Sequence, residues 1–281
     1  MAETLTCRPL SERFGAATMV MGIVNVTPDS FFDGGRHIEA QRAVAHAREL
    51  AKSGAHIIDI GGESSRPGAE PLSPGQECAR VLPVIQAADA LKTPLSIDTY
   101  HAATAAACIE AGALMVNDIT ALRGDPQMAE VIASARVDCV LMHMQGDPRT
   151  MQHNPSYGDV VEDIRAFFEE RMSYAVREGI SEERIWLDPG FGFGKTVAHN
   201  LELLRRLREF KQLGRPILAG TSNKSTIGAV LDAPVDERDE GTAATVAVAI
   251  ANGADAVRVH NVRMMARVAR MTDAIYGKYL L

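Results

Sequence analysis

The sequence predicts an α/β fold, a closed (β/α)8 TIM barrel in a single domain. Eight short apolar runs stop at a polar or glycine-rich junction, near Asn25, Asp59, Asp98, Asp118, His143, Asp188, Thr221 and His260. A helix-patterned stretch follows each run. The runs are continuous rather than alternating, which is how a parallel strand buried on both faces reads. Eight such strand–helix units are the pattern of a closed barrel. A doubly wound open sheet is the rival, but no G-x-G-x-x-G follows the first strand. The barrel brings the C-terminal ends of all its strands to one face, so residues far apart in sequence should meet there.

The elements follow in order. Strand 1 covers 19–25; a loop with Pro28 and Gly34-Gly35 leads to a helix over 39–52, which Gly54 caps. Strand 2 covers 56–60 and runs into Gly61-Gly62; a long loop with Pro67, Gly68, Pro71 and Pro74 precedes a helix over 75–91. Strand 3 (95–98) leads to a helix over 102–110, stopped at Gly112, and strand 4 (114–118) to a helix over 126–134. Strand 5 (139–144) has a long loop before its helix over 157–178. Strand 6 (185–188) enters the glycine-rich stretch to Lys195, and a helix covers 199–210. Strand 7 (216–220) is followed by helices over 225–231 and 240–252; strand 8 (256–259) and a helix over 262–276 close the ring.

A length of 281 residues suits one barrel of about 250 residues with short extensions. No Ser/Gly/Pro tract, charge block or composition shift divides it, so 1–281 reads as one domain. The net charge of -7 argues against general nucleic-acid binding. Cys7, Cys78, Cys108 and Cys139 are isolated and read as reduced thiols of a cytoplasmic protein. The N-terminus lacks the basic-then-apolar layout of a signal peptide, and the apolar stretch around 16–26, broken by Gly22 and Asn25, is too short to span a bilayer.

Asp98, Asn117 and Asp188 each end an apolar strand. One by one they read as helix caps. Together on one rim they need partners, and a ligand edge rich in N–H groups would supply them through paired bonds. Lys224 after strand 7 is either a solvated loop charge or a donor to a carbonyl on the same ring, with Ser222 beside it. Asn25, Arg66, Arg258 and His260 form a second, anion-favouring set near strands 8 and 1. Arg258 could equally form a salt bridge inside the barrel, and His260 alone could be a satisfied core histidine. A diphosphate travels with Mg2+, for which Asn25 is the best-placed oxygen. Phe191 and Phe193 are either core or a stacking surface. Loops 27–35 and 63–74 are long enough to act as lids.

At this point the motifs add up. Asn25-Val26-Thr27-Pro28-Asp29-Ser30-Phe31 and Asp59-Ile60-Gly61-Gly62-Glu63-Ser64-Ser65-Arg66-Pro67-Gly68 resemble the two signatures of the dihydropteroate synthase family. Ser96-Ile97-Asp98-Thr99, Asn117-Asp118-Ile119, Leu141-Met142-His143-Met144, Asp188 to Lys195 and Arg258-Val259-His260 match in the family's order. The resemblance implies a pterin-binding TIM barrel, a transferase of folate biosynthesis. It would join 6-hydroxymethyl-7,8-dihydropterin diphosphate to 4-aminobenzoate with Mg2+, as a homodimer and a sulfonamide target. It implies that Asp98, Asn117, Ile119, Met142, Asp188, Phe193 and Lys224 hold the pterin. Asn25, Arg66, Arg258 and His260 would hold diphosphate, with Asn25 on the metal. Phe31, Ser65, Pro67 and Ser222 would frame the aminobenzoate. Arg66, Lys224, Asp98 and His260 would carry the catalysis. Two positions depart from the family pattern: Asn223 stands where Arg is usual, and Asn261 where Asp is usual. The first removes a guanidinium from the mouth of the aminobenzoate site. A methyltetrahydrofolate-dependent corrinoid methyltransferase would share the pterin pocket but has no use for the anion set, and a non-catalytic pterin binder has no use for the anion set and two long loops.

Overall fold

The computed structural model describes residues 8–13, 15, 17–26, 35–63 and 71–278. Its strands are β1 (Met19–Asn25), β2 (Ile57–Gly61), β3 (Leu95–Asp98), β4 (Met115–Asp118), β5 (Asp138–Met142), β6 (Ile185–Asp188), β7 (Leu218–Ala219) and β8 (Ala256–Val259). All pairings are parallel, in the order β6-β5-β4-β3-β2-β1-β8-β7. The ring meets itself between β6 and β7, where Leu187 pairs with Ile217 as an isolated bridge. These are the eight strands and the barrel that the sequence predicts. The helices are α1 (Gly35–Lys52), α2 (Pro74–Ala88), α3 (Ala102–Glu110), α4 (Met128–Ala135), α5 (Val160–Arg177), α6 (Val197–Arg206), α7 (Ser225–Leu231), α8 (Asp239–Ala251) and α9 (Val262–Ile275).

Local chemistry sets the helix starts. Ser73 and Gln76 form a capping box at α2, with Pro74 at the first position, where a missing N–H costs nothing. Asp159 caps α5 by accepting from Val161 N and Glu162 N, which starts that helix later than its apolar pattern suggests. Asn261 caps α9 through Met264 N, and its Nδ2 donates to Asp239 Oδ2 at 2.7 Å. An aspartate at 261 would set two carboxylates against each other, so the amide fits here.

The core is layered. One apolar shell lies between strands and helices, around Ile58, Ile97, Leu141, Phe168, Leu187, Phe210 and Val257. A second fills the barrel itself, from Met19, Met21, Ile57, Met115, Val140, Trp186, Leu218 and Ala256. Leu10 joins this inner cluster from the N-terminal end, where Asp138 accepts from Leu10 N, Trp186 Nε1 and Arg184 Nη1 at 2.9–3.0 Å. Apart from the buried Asp138–Arg184 pair the inner fill is apolar at that end, and the polar strand-end side chains gather at the other. No described helix is long and apolar enough to cross a membrane. Cys78, Cys108 and Cys139 are free thiols, the last two buried.

Four strands differ from their sequence ranges: β2 covers 57–61 rather than 56–60, β4 starts at 115 rather than 114, and β5 and β7 change more. β5 ends at Met142 rather than 144; the backbone after it meets the end of β6, where loop 6 (189–196) begins, and His143 N donates to Asp188 O. β7 shrinks to two residues: Pro216 has no N–H to pair, and Ile217 N donates to the Asp255 side chain rather than to a strand.

Candidate active site

Strand ends place the polar groups. Asp98 ends β3, Asn117 sits one residue before the end of β4, Met142 ends β5, Asp188 ends β6, and Arg258 lies within β8. Together with Ile119, Phe193 and Lys224 they line one slot at the C-terminal mouth. Gly61 lies against Asp98, and Gly220 against Asp188 and Arg258, at ordinary contact distance.

The strand-end acids do not act as helix caps. α3 starts at His101 with no side-chain cap bond. Asp188 Oδ1 accepts from Gly190 N at 2.7 Å and shapes the start of loop 6. Asp118 takes the turn-forming part instead, accepting from Thr120 N and Leu122 N, and holds Ala121 and Leu122 at positive φ.

Arg258 makes the salt bridges that the sequence left as one of two readings. Its Nε donates to Asp59 Oδ2 at 2.6 Å and its Nη2 to Asp98 Oδ2 at 2.7 Å. Burial disfavours its charge, but Asp59 and Asp98 outweigh that and hold it more firmly protonated than an ordinary arginine. Burial pushes Asp98 up to about 7; Arg258 opposes, while Asp59, Glu77 and Asp118 add to the rise. Asp188 is also raised by burial, against the pull of Gly190 N and Lys224. Burial and Arg258 bring Lys224 down to about 8, against the pull of Asp188 and Asp98. The Lys224 ammonium stands 4.2 Å from the centroid of the Phe193 ring, which packs with Ile119, Met142, Met144 and Met151. Phe191 packs into the main core and also lines the slot.

Loop 6 needs its glycines. A Cβ on Gly190 would sit 2.0 Å from His143 O, and one on Gly194 2.5 Å from Gln145 O; both residues have positive φ. Lys195, absent from the sequence-derived site, ties this loop down. It is buried, and its Nζ reaches Gly190 O, Phe193 O and His143 Nδ1, each at 3.0 Å. Burial lowers its pKa to about 7.

Ser222 and His260, given different ligands by the resemblance, touch each other. Ser222 Oγ accepts from His260 N at 3.2 Å and lies 2.9 Å from His260 Nδ1. Asn25 is the exposed last residue of β1, which pairs with β8, so Asn25 and His260 follow neighbouring strands. Asn223 turns toward α8: its N donates to Thr242 Oγ1, and its O accepts from Arg238 Nη1. Phe31, Ser65, Arg66 and Pro67 lie outside the described residues.

Asp59 was missed as a site residue. It is fully buried, and besides Arg258 its Oδ2 accepts from Asn117 Nδ2 at 3.1 Å. The available signal was a lone acid inside the apolar run Ile57-Ile58-Asp59-Ile60. Glu63, Glu77 and His101 form the one cluster with metal-ligand character among the described residues. Its groups are engaged with protein: Tyr100 OH and Leu72 N donate to Glu63, while Thr99 OH donates to Glu77, which also meets His101 Nδ1.

A family model described as "Pterin binding enzyme" matches residues 21–260. The dihydropteroate synthase of Bacillus subtilis (strain 168) is 45% identical over 277 residues, covering 98% of this chain and 95% of that protein. The one of Synechocystis sp. is 47% identical over 265 residues, covering 94% and 92%. Among solved structures, a clostridial dihydropteroate synthase determined in the presence of pteroic acid superposes with a TM-score of 0.88 at 46% identity, covering 94% of this chain and 98% of the other. The Xanthomonas albilineans dihydropteroate synthase with 4-aminobenzoic acid gives 0.86 at 43% identity, covering 93% and 94%.

Proposed function

This chain belongs to the dihydropteroate synthase family of pterin-binding enzymes, and on that premise we propose how its residues divide the work. Its function is the transfer that joins 6-hydroxymethyl-7,8-dihydropterin diphosphate to 4-aminobenzoate, releasing diphosphate and 7,8-dihydropteroate for folate biosynthesis. The observation that carries the assignment of roles is the single slot where Asp98, Asn117, Asp188 and Lys224 meet beside Phe193. Carboxylates and an amide oxygen accept from the guanidine-like edge of a pterin. Lys224 donates to its carbonyl, and Met142, Ile119 and Phe193 cover its faces.

Diphosphate sits toward Asn25, Arg66, Arg258 and His260. Ser222 Oγ accepts the backbone N–H of His260 and lies beside its Nδ1, so the hydroxyl orients the imidazole at the end of β8. Asn25 fits Mg2+: it offers a hard oxygen at an exposed strand end. When bound, Mg2+ supplies charge to the departing diphosphate. Phe31, Ser65, Pro67 and Ser222 frame the aminobenzoate.

Chemistry occurs at the exocyclic methylene carbon. The carbon–oxygen bond to diphosphate breaks, and Arg66, Arg258 and His260 stabilise the charge that develops on the leaving group. Asp98 and Asp188 stabilise the positive charge that spreads through the dihydropterin. The neutral aniline nitrogen then forms the carbon–nitrogen bond and loses a proton. No enzyme nucleophile is required, and the barrel contributes positioning and fixed charge.

The exposed Val230, Leu231, Val235, Val248, Met271, Ile275 and Tyr276 of α7, the turn after it, α8 and α9 support a homodimer built on that side. We read residues 1–281 as one pterin-binding domain working in the cytoplasm, which agrees with its free thiols. One assay tests the whole reading: purified protein with pterin diphosphate, Mg2+ and aminobenzoate must form dihydropteroate and diphosphate in equal amounts. Omitting any one component must stop both. Methyl transfer to a corrinoid protein, or pterin binding without diphosphate release, would overturn it.

A further inference from the structure

Asp59 does not line the slot, yet two residues that do line it hang from one of its oxygens. We propose that Asp59 is the positioning residue of the pterin site, fixing which end of the Asn117 amide and which plane of the Arg258 guanidinium the ligand meets. The inference rests on the reading of this slot as the pterin site.

The two ends of an asparagine side chain are chemical opposites, donor and acceptor. A carboxylate only accepts, so Asp59 Oδ2 turns the Asn117 NH2 group toward itself. The other end, Asn117 Oδ1, is buried and has no hydrogen-bond partner in the protein. Asn117 therefore offers an acceptor beside the acceptors Asp98 and Asp188, which suits a ligand edge made of N–H groups. With the amide reversed, a donor would face those N–H groups.

The same Oδ2 receives Arg258 Nε, while Asp98 Oδ2 receives Nη2. Two fixed corners define the plane of the guanidinium, and the cation separates the buried Asp59 from the half-buried Asp98. The barrel does not need these bonds for its shape. β2, β1 and β8 are already joined through the backbone, with Ile23 opposite Asp59 and Met21 opposite Arg258. The side-chain network is additional to that frame, and it points at the ligand.

The test uses the full chain carrying Asp59→Ala or Asp59→Asn, read by steady-state kinetics for each substrate, by pH profile and by melting temperature. Asp59→Ala is expected to raise KM for pterin diphosphate by about tenfold or more, with KM for aminobenzoate within about twofold of the parent. Asp59→Asn can keep an acceptor oxygen under Asn117 and Arg258, so it should recover most of the pterin affinity. It removes one negative charge from the surroundings of Asp98, leaving Arg258 on β8, Glu77 on α2, Asp118 on β4 and Lys224 before α7. The acidic limb of the profile should therefore move to lower pH.

A folded Asp59→Ala with parental KM for the pterin overturns the inference. So does an equal loss for both substrates accompanied by a lower melting temperature, which marks a structural role alone. Should Asp59→Ala fail to fold, the acidic limb of Asp59→Asn decides, and an unmoved limb overturns the inference. A parent enzyme that does not saturate with pterin diphosphate would defeat the reading of the slot itself. A saturable parent with indifferent Asp59 variants defeats this inference alone.

Discussion

Asp98 and Lys224 share the slot with displaced acidities, one raised to about 7 and the other lowered to about 8 by burial. The proposed roles need Asp98 ionised and Lys224 protonated. Asp98 gains its charge as pH rises through about 7, and Lys224 loses its charge as pH rises through about 8. The pH profile of kcat/KM for pterin diphosphate reports the free enzyme and should be bell-shaped with limbs near those values. A profile flat across that range would refute the pairing. Lys224→Ala or Arg66→Ala should lower turnover by about 10²–10³, the usual cost of losing a strong charge-stabilising donor. Parental turnover by either variant would contradict its role. Asp98, Asn117 and Asp188 were legible because a barrel gathers its strand ends, so position alone nominated them. Asp59 and Lys195 were not. Their function lies in what they hold, and partners such as Arg258 in β8 or the carbonyls of loop 6 are defined only after the chain has closed.

Loop 6 shows how an element can be readable in outline and opaque in purpose. Three spaced glycines suggested close approach. The structure adds what approaches: the backbone after β5, at His143 and Gln145, meets Gly190 and Gly194, and the side chain of Lys224 meets Gly192. Gly190→Ala should shift this backbone and cost at least about 2 kcal/mol. That corresponds to a melting-temperature fall of roughly 5 °C, with a higher KM for the pterin, since Gly190 lines its slot. Calorimetry together with kinetics checks both. The bounds of β1, β3, β6 and β8 match the sequence reading. Hydrophobicity could not set the start of β7, because Pro216 has no N–H and Ile217 N is taken by the Asp255 side chain while the run stays apolar. The start of α5 likewise follows its cap, Asp159, rather than its apolar pattern.

At the scale of the molecule, the two ends of the barrel have separate duties. One is sealed by Leu10, Trp186 and the bonds to Asp138; the other gathers the reactive groups. The apolar residues exposed on α7, α8 and α9 predict an association that the sequence pattern alone could not locate. Sedimentation should give twice the chain mass for the parent and the single-chain mass for a Leu231→Asp/Ile275→Asp double variant. A parent sedimenting as one chain would remove the proposal.

The isolated bridge of Leu187 to Ile217 gives the hoop a narrow weld. Asp188 stands on one side of that weld and Lys224 on the other, and both face the pterin slot. A pterin gripped by both would work as a clasp across the thinnest part of the ring. Breathing of the empty barrel should start at this seam, and amide hydrogens of Leu187 and Leu218 should exchange markedly more slowly once the slot is filled. The ligand would then be a temporary structural member of the barrel as well as its substrate.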